Sequence, residues 1–162
     1  MREILSDLVA EQQFLDQYLQ QVNLKLWDKE TPAKGWSIRD TISHLADYEE
    51  LAAAVIAGEA DLERYRSAAD LDVIRQEAVE KGRKMRPQDV IEWWRNGRAK
   101  VVEPLSHMQA SDRVEWITGE VSAKTLATTR PVSYTHLRAH ETSSMISYAV
   151  FCLKRGGGGG GG

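Results

Sequence analysis

Apolar residues open the chain at Ile4, Leu5, Leu8, Val9, Leu15, Tyr18, Leu19, Val22 and Leu26, in steps of three and four. That spacing predicts an amphipathic helix, with Glu11, Gln12, Asp16 and Gln20 on the opposite face. It should fade over Asn23 to Trp27, ahead of Thr31-Pro32 and Gly35. Ser37 followed by Asp40 forms a capping-box-like pair that starts a second helix, and Gly58 is its natural stop. Ile38, Ile42, Leu45, Ala52, Ala53 and Ile56 mark one stripe of this helix, while His44, Tyr48, Leu51 and Val55 mark another. A helix apolar on two faces is expected to be central and largely buried.

A polar connection over 59–69 leads to a third helix carrying Leu71, Ile74 and Ala78, with Asp70 or Asp72 as its expected cap. Arg86-Pro87 breaks it, and Pro87 suits the first turn of a fourth helix carrying Val90, Ile91, Trp94, Val101, Val102 and Leu105. Pro104 should kink or terminate that helix. Of the adjacent pair Trp93 and Trp94, the stripe sends Trp94 inward. Trp116 and Gly119 read as loop, and Ser122 as the cap of a further helix through Leu126, severed at Arg130. No period-two run of useful length and no internal repeat appears. The expected fold is all-α, an antiparallel four-helix bundle whose last helix is truncated.

The remainder of the chain has a different character. Val132 to Thr142 back-translates into a sequence resembling a widely used sequencing-library adapter. Ile146 to Leu153 does the same for the flow-cell primer of such libraries, and the gap between the blocks has the size of a sample index. Gly156 to Gly162 then reads as a poly-G run. Two blocks in order, in frame and followed by glycines, mark 131–162 as a non-native tail. Residues 1–130 are the expected native part, the front of a longer protein.

This division changes the arithmetic. Taking Arg138, Lys154 and Arg155 from the 21 basic residues and Glu141 from the 24 acidic ones leaves 18 and 23, a net charge of −5 in place of −3. An acidic balance disfavours nucleic acid as a partner, and with it a base-stacking role for the tryptophan pair. Cys152, the one cysteine, lies in the tail, so residues 1–130 have no thiol nucleophile and no disulfide. Neither a signal peptide nor an apolar run of membrane-spanning length is present, and a cytoplasmic protein is expected. A glycine-rich phosphate loop and a Ser-His-Asp set are also missing.

Candidate chemistry narrows to histidine. His44 lies mid-helix on an inward stripe, where bundles build metal sites and where neutral imidazole is a common ligand. A hydrogen-bonded core histidine is the plainer reading of the same residue. Asp47 and Glu50, three and six residues on, are either supporting groups or a solvated face. His107 sits near a helix C-terminus, which a cation there favours mildly. His136 and His140 with Glu141 have zinc-site spacing, but both histidines are encoded within the adapter-like block and are set aside.

The run Gly35-Trp36-Ser37-Ile38-Arg39-Asp40-Thr41-Ile42-Ser43-His44-Leu45 resembles the second-helix signature of the DinB-like superfamily. In particular it resembles the metal-binding domain of mycothiol-dependent maleylpyruvate isomerases. Trp116 to Arg130 is similar to the segment leading into that family's last bundle helix. The resemblance implies a divalent metal, usually zinc, held by the second-helix histidine and by a Glu-x-x-x-His that follows the arginine. Only His44 carries over. Ser133 and Leu137 stand where the other two ligands belong, and His136 is one residue out of register. Such an ion lowers the pKa of a bound water or thiol, and thiol-dependent members use mycothiol or bacillithiol with a small-molecule substrate. The parent is then a metal- and thiol-dependent isomerase or transferase, or a non-catalytic metal-binding or stress-related module. The chain as written is expected to be an inactive fragment of either.

Overall fold

The computed structural model describes residues 1–30, 35–65 and 67–137, without the side chains of Ala68 and 131–137. Five helices and one two-stranded hairpin make up these residues. Helix α1 spans Arg2–Gln21, α2 Ile38–Ala57, α3 Ala68–Arg83, α4 Pro87–His107 and α5 Ala123–Leu137. Strands β1 (Arg113–Trp116) and β2 (Gly119–Ser122) pair between α4 and α5. The fold is mostly helical, as the pattern predicts, and the strands are an addition to it.

Local chemistry starts and stops the elements where it can. Ser37 Oγ accepts from the Asp40 amide at 3.2 Å, and Asp40 Oδ2 accepts from the Ser37 amide at 3.0 Å, completing the capping box. Gly58 takes the left-handed conformation that ends α2, with φ of 73°. Pro87 opens α4, and Pro104 lies within it three residues before its end. Helix α3 is capped by Ser67 instead of Asp70 or Asp72: Ser67 Oγ accepts from the Asp70 amide at 3.0 Å. Asp70 is the third helical residue, and its carboxylate accepts the serine hydroxyl's hydrogen bond.

The hairpin corrects the loop expected around Trp116 and Gly119. Its strands are four residues each, and Trp116 pairs with Gly119 across a two-residue turn. Arg113, Val114, Glu115 and Trp116 do alternate polar and apolar, but over too short a run to stand out. Gly119 carries φ of 106°, which a side chain would oppose.

Helix α2 is the centre of the molecule, with Ile42, Leu45, Ala46, Leu51, Ala52 and Val55 all buried. Two glycines let its neighbours approach: Gly82 of α3 lies against Ser43, and Gly97 of α4 against Glu49. Trp94 is fully buried as expected. Trp93 is buried too, contrary to the single-stripe reading, with Lys81 Nζ of α3 lying 3.8 Å from its ring centre. A charged layer ties α1 to α4, where Asp16 accepts from Arg95 at 2.5–3.1 Å and also from Arg98. Burial works to raise the Asp16 pKa, but the Arg95 and Gln20 hydrogen bonds and the Arg98 charge outweigh it and hold the carboxyl below its usual value.

Helix directions follow from these contacts. Arg39 of α2 donates to the Met85 carbonyl just before α4, and Gly97 further along α4 meets Glu49, so α2 and α4 run the same way. Helix α5 starts beyond the end of α4, where the Ala123 and Lys124 amides donate to the Asp112 and Ala110 carbonyls at 2.7 and 3.1 Å. It then climbs until Arg130 meets Glu49 and Tyr48. Helix α5 is therefore antiparallel to α2.

Candidate metal-ligand site

His44 projects from the middle of α2 into a row of aromatic rings. The Trp36 ring meets it edge-on at 5.4 Å between centroids, and Tyr48, one turn further along α2, stacks on it at 5.9 Å. Trp116 from β1 continues the row, edge-on to Tyr48 at 5.5 Å. Trp36, His44, Tyr48 and Trp116 are each half-buried. The capping box holds Trp36 at the entrance to α2, and the hairpin delivers Trp116.

Burial, with the Arg75 charge adding to it, pushes the His44 pKa down to about 4. The imidazole is thus neutral at physiological pH, the form that donates a lone pair to a metal. Asp47 departs from the solvated-face reading. Burial, helped by the Glu50 charge and opposed by Lys81 and Arg64, lifts its pKa to about 6. Burial and the Asp47 charge likewise raise Tyr65. Glu50 does belong to the exposed face and pairs with Lys81 at 3.4 Å. His107 ends α4, exposed, with Glu103 at 3.7 Å.

The residues that pattern reading passed over are Glu49 and Arg130. Both are buried, 2% exposed each, with Arg130 Nη1 3.9 Å from Glu49 Oε1 and donating to the Tyr48 carbonyl at 3.2 Å. The guanidinium carbon lies 4.5 Å from the Tyr48 ring centre and 5.0 Å from that of Trp116. A charge in each of two apolar helices is the signal that could have paired them.

Among the described residues no three His, Cys, Asp or Glu side chains come together to hold a metal ion. The residues present do not by themselves fit a three-ligand divalent site. His44 supplies one nitrogen, and its neighbours along the row are rings. His136 lies in α5 with its side chain outside the described part, while His140, Glu141, Cys152 and the glycine run lie outside the described residues altogether.

Residues 8–143 match the family described as mycothiol maleylpyruvate isomerase N-terminal domain. The chain belongs to that family. Its fold superposes on the crystal structure of the mycothiol-dependent maleylpyruvate isomerase with a TM-score of 0.64 at 16% identity, covering 82% of this chain and 57% of that one. A histidine-to-alanine mutant of that isomerase gives 0.63 at 15% identity over the same shares. At such identities the likeness establishes the fold. Two uncharacterized proteins of Mycobacterium tuberculosis strains are 27% identical over 128 residues, 78% of this chain and 50% of each of theirs. The chain thus spans about half the length of the curated relatives it matches. Among the described residues no helix is long and apolar enough to cross a membrane.

Proposed function

We propose that the chain derives from the metal-binding helical domain of a mycothiol-dependent maleylpyruvate isomerase-like protein, with His44 as one ligand of a divalent metal, zinc by the chemistry of the family. The observation that carries this reading is His44 itself: a neutral imidazole, half-buried in mid-helix and walled by Trp36 and Tyr48. The antiparallel run of α5 supports it, because the turns after Arg130 come level with His44, where the family's acid and histidine belong. On this reading α1, α2, α4 and α5 are the four helices of a DinB-like bundle, and α3 packs against α2.

The site is incomplete in this chain. Ser133 has a weakly donating hydroxyl and Leu137 no donor atom, so on this reading the two positions that should complete the site bring His44 no strong ligand and the chain is inactive. The partners of the intact parent are a small-molecule substrate and a low-molecular-weight thiol, mycothiol or bacillithiol, in the cytoplasm. Residues 131–162 are the adapter-derived tail. Reading the source gene across the Arg130 codon, by a method that uses no such adapter, tests this division. Continuation into Glu-x-x-x-His is the expected result. Continuation into Pro-Val-Ser-Tyr-Thr-His and the glycines overturns it and returns His136 and His140 as ligands beside His44.

A second reading is a non-catalytic metal-binding or stress-related module, which uses the same His44 without a thiol substrate. A screen for thiol-dependent isomerase activity of the parent separates the two.

A further inference from the structure

Arg130 is buried without being neutralised in a simple pair. Its guanidinium fills the gap between two roughly perpendicular rings, Tyr48 and Trp116, at 4.5 and 5.0 Å. One nitrogen donates to the Tyr48 carbonyl and faces the Glu49 carboxylate. Its Nε finds no hydrogen-bond partner among the described residues. Three separate segments, α2, β1 and α5, therefore meet on one planar cation. A cation set in the corner of two perpendicular rings, with a hydrogen bond to the backbone of one of them, resists sliding, which an aliphatic contact of the same area does not.

We infer that Arg130 is a positioning residue that fixes the register of α5 against α2. From Arg130 to position 133 or 134 the helix rises about 5–6 Å, the same as the fall from Tyr48 to His44. Because the two helices are antiparallel, pinning Arg130 at Tyr48 sets which backbone positions of α5 arrive level with His44. A slip of one residue moves every following position by about 1.5 Å and turns it by about 100°. The same pin explains why the hairpin is present. Trp116 supplies the second ring of the corner that holds the guanidinium, and β1 and β2 bring it there and return the chain to α5.

The role this register serves rests on the reading of His44 as a ligand, but its test needs no metal, so the two can fail separately. Spin labels at Ala57→Cys on α2 and Thr128→Cys on α5, in a Cys152→Ser background, report the helix register by pulsed electron spin resonance. The parent is expected to give one narrow distance distribution. Arg130→Lys keeps the charge and loses the planar contact, and Trp116→Leu removes one wall while leaving the buried pair intact. Each should retain the helical circular dichroism signal yet shift the mean distance by about one residue's rise, about 1.5 Å, or broaden it. A residue that only adds stability would lower the melting temperature and leave the distance alone. Should Arg130→Lys fail to fold, Trp116→Leu decides the matter. An unchanged narrow distribution in either folded variant overturns the inference.

Discussion

Arg130 lies over Tyr48, its guanidinium carbon 4.5 Å from the ring centre, and donates a hydrogen bond to the same residue's carbonyl at 3.2 Å. Tyr48 in turn stacks on His44, so the charge carried by α5 is one ring removed from the candidate ligand. Removing the guanidinium leaves the Glu49 carboxylate buried beside a vacated cavity. Arg130→Leu is expected to cost roughly 3–5 kcal/mol in urea unfolding, and adding Glu49→Leu should recover a good part of it. A loss below about 1 kcal/mol for Arg130→Leu would show that the pair contributes only as a surface ion pair does.

Acidification acts on His44 and Asp47 in opposite directions. The His44 pKa is depressed from 6.5 to about 4, so between those values the unfolded chain binds more protons and stability falls as pH drops, by at most about 3 kcal/mol. Asp47 is raised from 3.8 to about 6, so over that window the folded chain binds the proton and stability rises as pH drops. Asp47→Asn is therefore expected to be more stable than the parent at pH 7.5 and to lose that advantage by pH 4. Melting curves across this range check it. An advantage that persists unchanged at pH 4 would mean that the Asp47 charge is not the cause.

The close approach of α3 to α2 makes a third prediction. A Cβ built on Gly82 would stand 2.6 Å from the Ser43 Cβ, and Ser43 is itself buried with its hydroxyl donating to the Arg39 carbonyl at 2.7 Å. Gly82→Ala should cost about 1–3 kcal/mol by overpacking, despite the better helix propensity of alanine. Ser43→Gly in the same chain should restore part of the loss. Thermal melts that find Gly82→Ala more stable than the parent would place α3 further from α2.

Where a rule acts within a few residues, the sequence was sufficient. Ser37 with Asp40, Gly58 as a left-handed stop and Pro87 at a first turn all stand as read, because caps and stops depend on neighbours in the chain. Ser67 shows the limit of that reasoning. A serine three residues before Asp70 caps α3, where Asp70 or Asp72 is the expected cap. The hairpin stayed hidden because four residues give too little alternation to register. Trp93 departs from its expected place because one helix stripe cannot reveal a side chain of another helix, Lys81 of α3, lying over its ring. His44 was legible as an inward histidine, and the family resemblance gave it a chemistry. Its walls are not legible, since Trp116 reaches Tyr48 only through tertiary contact, and Glu49 meets Arg130 across half the length of the chain.

We propose His44 as one ligand of a metal site whose other two positions are filled by Ser133 and Leu137. Visible absorption on titration with cobalt(II) tests it directly. The chain as it stands is expected to show no ligand-field bands at stoichiometric cobalt. Ser133→Glu with Leu137→His should bind one equivalent and show the bands of a low-coordinate ion, and adding His44→Ala should abolish them. Bands that survive without His44, or a doubly substituted chain that binds no cobalt, would contradict the account.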